Sequence, residues 1–174
     1  AGRKAGTKEP WNGGGPLDKS DVVRGNGPWD TIAPSSIPLA DGWITPKAMD
    51  KTDIKKLIKS YVLSAKLALE AGFEVLEVHA AHGYLLHSFL SPLSNRRNDN
   101  YGGNFEGRSR LIIEIIKALR EEVPKETPIF CRISAIDGLK NGWSIDDSVQ
   151  LAGLLSKVGT DVIDCSSGGL MGRP

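Results

Sequence analysis

From residue 51 onward, apolar and polar positions alternate in a repeating order. Ile54, Leu57, Ile58, Tyr61, Ala65 and Ala68 recur three or four residues apart with lysines on the other side, the spacing of an amphipathic helix. Thr52 is placed to cap it, and Gly72 to end it. Residues 73–79, Phe-Glu-Val-Leu-Glu-Val-His, then read as a short strand. A second helix is expected over 107–122, with Leu111, Ile112, Ile115 and Leu119 facing inward. Pro124 and Pro128 bracket the turn into a strand at 129–133. Ser144 opens a third helix carrying Ile145, Val149, Ala152 and Leu155, with Asp147 as its capping-box partner. Gly159 closes that helix, and 161–166 form the next strand.

The order is helix, strand, helix, strand, helix, strand, which predicts a parallel sheet. An internal echo supports it: Gly72-Phe73-Glu74-Val75-Leu76-Glu77 and Gly159-Thr160-Asp161-Val162-Ile163-Asp164 share one pattern after a helix. Right-handed crossovers allow an open doubly wound sheet or a (β/α)8 barrel. Alternation puts Val75, Glu77 and His79 on one face, with Phe130, Arg132 and Ser134, and Val162, Asp164 and Ser166. The opposite face is apolar throughout: Leu76 and Val78, then Ile129, Cys131 and Ile133, then Ile163 and Cys165. A doubly wound sheet buries both faces and carries apolar residues on both. One charged face favours the α/β (β/α)8 TIM barrel.

Residues 1–50 differ. They hold Pro10-Trp11-Asn12-Gly13-Gly14-Gly15-Pro16 and Gly25-Asn26-Gly27-Pro28-Trp29, a loop composition. Loops this long are usually functional or disordered, and Trp11 and Trp29 suggest that this one is pinned to the rest. The chain therefore divides into a loop region, 1–50, and three helix–strand units, 51–174.

Composition narrows the function. A net charge of +1 gives no reason to expect a nucleic-acid or membrane-surface partner. No apolar run approaches the ~20 residues that span a bilayer. Cys131 and Cys165 read as buried small hydrophobes of a reducing compartment, with a disulfide or a metal pair as the alternatives. Cytoplasmic is the default location.

All three histidines fall in one stretch, Glu77-Val78-His79-Ala80-Ala81-His82-Gly83-Tyr84-Leu85-Leu86-His87. It begins at the C-terminal end of a strand, where barrel active sites sit. Three readings are open. These are ordinary polar residues at a strand end; or they bind a metal, although no His-Glu-x-x-His is present; or two neutral imidazoles and a phenol grip and protonate a small substrate. Imidazole N–H groups can polarise a carbonyl oxygen, and a tyrosine can act as general acid.

The stretch from His79 to His87, with Phe89-Leu90-Ser91-Pro92 and Asn95-x-Arg97-x-Asp99-x-Tyr101-Gly102-Gly103, resembles the signature of the Old Yellow Enzyme family, in its two-histidine branch. Ala1-Gly2-Arg3-Lys4-Ala5 is similar to the loop after that family's third barrel strand. Residues 130–134 are similar to its fifth strand and 163–169 to its sixth. The resemblance implies the middle of the barrel, from the end of strand 3 to strand 6. It implies FMN as cofactor, NADPH or NADH as reductant, and a small α,β-unsaturated carbonyl or nitro compound as substrate. His79 and His82 would bind the substrate's oxygen and Tyr84 would protonate the α carbon. Arg132 would lie beside the flavin's N1/O2 edge, with Ser166 as a second cofactor-binding candidate. Arg132 could instead pair with Glu77 or Asp164, Arg3 and Lys4 could serve only to anchor their loop, and His87 is expected to take no direct part.

The family usually has Glu-Asn-Arg after the double glycine, where this chain has Glu106-Gly107-Arg108. Its barrels also extend well beyond both ends of this sequence. The alternative expectation is therefore a truncated, non-catalytic fragment without flavin. With open strand edges, the isolated chain is expected to self-associate, and a homo-oligomer is possible.

Overall fold

The computed structural model describes residues 2–9, 11, 13–27 and 29–171. Ala1, Pro10, Asn12 and Pro28, each part of a sequence pattern above, lie outside the described residues.

The elements, in order, are a 3-10 turn (Gly2–Gly6), α1 (Lys19–Val23), β1 (Ile32–Ala33), β2 (Lys47–Ala48), α2 (Lys51–Glu70), β3 (Leu76–Ala80), α3 (Leu85–Leu90), α4 (Phe105–Glu122), β4 (Ile129–Ser134), α5 (Ile145–Lys157) and β5 (Val162–Ser166). β3, β4 and β5 form a parallel sheet in sequential order, β3 joined to β4 through α3 and α4, and β4 to β5 through α5. Among the described residues, that order has no reversal, as in a sector of a barrel.

Capping sets where the helices begin. Asp50, not Thr52, starts α2: its carboxylate accepts from the Asp53 N–H at 2.8 Å, and the Asp53 carboxylate accepts from the Asp50 N–H at 3.2 Å. Thr52 falls within the first turn, too late to receive a free N–H of that end. α4 starts at Phe105, two residues ahead of the expected start, because Asn104 caps it by accepting from the Gly107 N–H at 3.0 Å. Ser144 and Asp147 form the expected capping box of α5. Such caps contribute about 1 kcal/mol each.

β3 begins three residues later than the apolar pattern suggests. Its first pairing is Leu76 with Ile129, and β4 starts there, so Phe73 and Val75 have no ladder partner and are exposed. Gly72, at φ +89°, turns the chain out of α2 toward it. On the helix side, Val78, Ile129, Cys131 and Ile133 are buried against Leu111, Ile112, Ile115 and Leu119 of α4 and Leu151 and Leu155 of α5. α4 packs between α2 and α5. Cys165 departs from expectation: it is exposed, and both cysteines are free thiols. β5 is the edge of the three-stranded sheet among the described residues, and Cys165 is left uncovered there.

The early segment is more ordered than its composition suggests. β1 and β2 pair in parallel, and Thr7 bridges Pro16. Trp11 and Trp29 are not its anchors, being 82% and 65% exposed. Hydrogen-bonding side chains hold it instead. Arg97 donates to the carbonyls of Pro34 and Met49 while its guanidinium is paired with Asp99. Arg3, fully buried, donates to the carbonyls of Pro38 and Leu170. Asn95 closes its own loop onto the carbonyls of Phe89 and Tyr101. The stretch from Asn95 to Gly103 is thus a brace between the early segment and α3–α4.

Candidate active site

The sheet register aligns His79, Arg132 and Asp164 in one row across the face away from the helices. Glu77 and Phe130 lie a row earlier, and Ser134 and Ser166 at the C-terminal end. This is the charged face expected from alternation.

His79 stands near the end of β3, His82 in the turn that follows, and Tyr84 at the N-cap of α3. The His79 ring lies 5.2 Å from His82 and 5.4 Å from Tyr84, centroid to centroid. The Tyr84 ring remains partly open to solvent and lines one open cavity together with His79.

His82 holds an unusual backbone, φ +58°, in the left-handed region that costs a side-chain-bearing residue roughly 1–2 kcal/mol. Both of its peptide groups are held. Its N–H donates to the Ser134 hydroxyl at 2.9 Å, and that hydroxyl donates to the Gly168 carbonyl at 2.8 Å. Its carbonyl accepts from the Lys4 ammonium, which also lies 5.2 Å from the centre of the Tyr84 ring. Neighbouring backbones meet almost without clearance. A Cβ on Gly83 would stand 2.2 Å from the Gly169 carbonyl oxygen, and one on Gly169 would stand 2.6 Å from the His82 Cα. Only glycine permits that approach.

The electrostatics favour neutral imidazoles. Burial lowers the His79 pKa, and the positive charges of His82 and Arg132 lower it further. Burial also lowers His82, with Arg132 and Lys4 adding to the effect. Both shifts favour the neutral ring, which has one N–H to donate. Lys4 itself is lowered by burial and by the neighbouring Arg3.

Arg132 is fixed on the same face. Its Nε donates to the Ser166 hydroxyl at 2.9 Å and lies 3.3 Å from an Asp164 carboxylate oxygen. Asp164, not Glu77, is thus its acidic neighbour, and the guanidinium remains partly accessible. An oriented, partly open cation beside a hydroxyl suits a flat heteroaromatic ring that becomes anionic on reduction. The residues present therefore fit a flavin. Among the described residues, no group of three or more His, Cys, Asp or Glu side chains could hold a metal ion.

Asp137 escaped the sequence reading, as did its buried pairing with His87, a histidine expected to take no direct part in the chemistry. The His87 ring, fully buried in α3, accepts from the Gly83 N–H at 2.8 Å through Nδ1 and lies 2.9 Å from Asp137 through Nε2. Asp137 also accepts from the Ser91 hydroxyl and the Trp143 N–H. Burial pushes the Asp137 carboxyl up, but these hydrogen bonds outweigh it and hold the group below its ordinary value. The available signal was position: Asp137 lies just past the C-terminal end of β4, where barrel side chains converge.

The chain matches the NADH:flavin oxidoreductase / NADH oxidase family over residues 9–173. An NADH:flavin oxidoreductase of Gibberella zeae is 44% identical over 98% of this chain and 43% of its own length. The NADPH dehydrogenase of Bacillus subtilis is 44% identical over 82% of this chain and 41% of its own. The chain therefore spans less than half the length of these curated relatives. Among solved structures, morphinone reductase in complex with tetrahydroNAD superposes with a TM-score of 0.70 and 28% identity, over 79% of this chain and 42% of that one. A 2-naphthoyl-CoA reductase complex superposes with a TM-score of 0.76 and 26% identity, over 80% and 21%. The fold is α/β, a sector of the (β/α)8 barrel of these neighbours, and no helix among the described residues is long and apolar enough to cross a membrane. With the same pattern running through nearly its whole length, the chain belongs to the NADH:flavin oxidoreductase / NADH oxidase family.

Proposed function

We propose that this chain carries the substrate and flavin face of an FMN-dependent NAD(P)H oxidoreductase that reduces activated C=C bonds. The observation that carries the reading is the grouping of the His82 and Tyr84 rings about that of His79 at the C-terminal end of a parallel strand. Two neutral imidazole N–H groups donate to one carbonyl or nitro oxygen and draw electron density from the conjugated alkene. Their donors strengthen as that oxygen gains negative charge, so they favour the transition state over the ground state. Tyr84 holds a phenolic proton for the α carbon. Arg132, oriented by Ser166 and Asp164, supplies a fixed positive charge to the cofactor's ring edge. FMN, when bound there, would supply the hydride chemistry, with NADPH or NADH as the reductant.

Phenol binding tests the reading, because a phenolate oxygen resembles the enolate oxygen of the reaction. In the flavin-loaded full protein, His79→Ala or His82→Ala should weaken phenol affinity by roughly 10–100-fold, the value of a hydrogen bond to a charged group. The long-wavelength absorbance of the phenol–flavin pair reports it. Unchanged affinity in both variants would overturn the assignment.

A further inference from the structure

We infer that His87 and Asp137 are positioning residues for this site, and that a single proton arrangement in their buried pair holds the turn bearing His82 and Tyr84. The inference rests on the function proposed above. Neither side chain reaches the open face, yet His87 bonds the backbone of Gly83, the residue between His82 and Tyr84.

The hydrogen bonds fix the tautomer. The Gly83 N–H is a donor, so the Nδ1 it meets at 2.8 Å is unprotonated. The ring proton is therefore on Nε2 and is donated to Asp137 at 2.9 Å. The other Asp137 oxygen accepts from the Ser91 hydroxyl at 2.6 Å and the Trp143 N–H at 2.7 Å. Every neighbour of the carboxylate is thus a donor, and the arrangement has one consistent solution. It ties the turn after β3 to the loop after β4, fifty residues on in sequence.

The substitution that exposes this logic is Asp137→Asn. An amide oriented to accept from His87 turns its NH2 toward the Trp143 N–H, donor against donor. Flipped, it donates to Nε2, drives the ring proton to Nδ1 and sets it against the Gly83 N–H. Both orientations break a bond with almost no change in shape. His87→Asn and His87→Gln divide the roles. Asparagine can place an oxygen where Nδ1 stood and keep the Gly83 bond. Glutamine can reach Asp137 but leaves the Gly83 N–H without an acceptor.

The test uses the flavin-loaded full protein with a simple phenol as probe and His79→Ala as control. Nitrogen NMR of the imidazoles should show His87 unprotonated at Nδ1 and protonated at Nε2; a proton on Nδ1 would overturn the inference. Asp137→Asn and His87→Gln should lower phenol affinity by about tenfold to 10²-fold, the scale of a misplaced site, while His87→Asn keeps most of it. All three should melt earlier. Loss of affinity that merely follows the loss of melting temperature, His87→Asn included, would make the pair structural and overturn the inference. If His79→Ala also leaves phenol affinity unchanged, the functional reading fails instead, and the nitrogen spectrum still decides the state of the pair.

Discussion

The two faces of the β3–β5 sheet are built from the same strands, one residue out of step. On one, Val78, Cys131 and Ile133 are buried under α4. On the other, His79, Arg132 and Asp164 stand in a row and stay partly accessible. Because side chains alternate, each strand contributes to the core and to the chemistry at adjacent positions. Stability and activity should therefore separate by parity along the chain, and substitutions can test the separation.

The sharpest case is Tyr84→Phe. It should slow the half-reaction with an enone by about 10²–10⁴-fold, the usual contribution of a general acid, and leave flavin reduction by NADPH and the melting temperature nearly unchanged. Stopped-flow of each half-reaction separates them, and equal loss in both would make Tyr84 structural. The reverse case is Ile133→Ala, one position from Arg132. Its buried side chain should cost about 2–5 kcal/mol in urea unfolding, with turnover per folded molecule retained. Arg132→Gln returns to the open face. Its ion pair is partly exposed, so stability should change by no more than about 1 kcal/mol, while flavin affinity falls measurably in titration. A larger loss of stability than of flavin affinity would place Arg132 among the structural residues.

The smallest effect concerns pH. His79 and His82 both titrate below the ordinary imidazole value, chiefly through burial. The unfolded chain takes up these protons near pH ~6.5, before the folded protein does. The stability associated with the neutral rings is thus complete above that pH and is lost as the pH falls through the lower folded values. Melting curves from pH 7 downward should show this decline, shallower in His79→Ala. A decline equally steep without His79 would assign it to other groups.

Much of this architecture was legible in the sequence because it is periodic. The runs ending in Ala68, Leu119 and Leu155 have helical spacing, and the parity of His79, Arg132 and Asp164 followed from alternation alone. What escaped depends on pairing at a distance. The start of β3 at Leu76 is set by Ile129, not by its own residues. α3, buried along its whole length, has no polar side to display a period. The exposure of Cys165 follows from its edge position. Trp11 and Trp29 were expected to pin the early segment, but Arg97 from a distant loop and the segment's own buried Arg3 hold it. Beyond its place just past β4, Asp137 carries no local mark, since its partners His87 and Ser91 lie in and at the end of α3.

The close approach of Gly83 and Gly169 shapes how this sequence can vary. Neither residue has a side chain to offer chemistry, yet each touches the backbone that aims the histidines. A library of single substitutions should find both positions as intolerant as Tyr84, and for the opposite reason: Tyr84 is constrained by what it supplies, the glycines by what they leave out. Alanine at either site would drive the turn after β3 away from the loop after β5, separating His82 and Tyr84 from the Ser166 side in one movement. Drift in sequence should therefore pass around this contact, with new specificity arising from side chains that border the open space and the two glycines remaining as a fixed hinge pin between them.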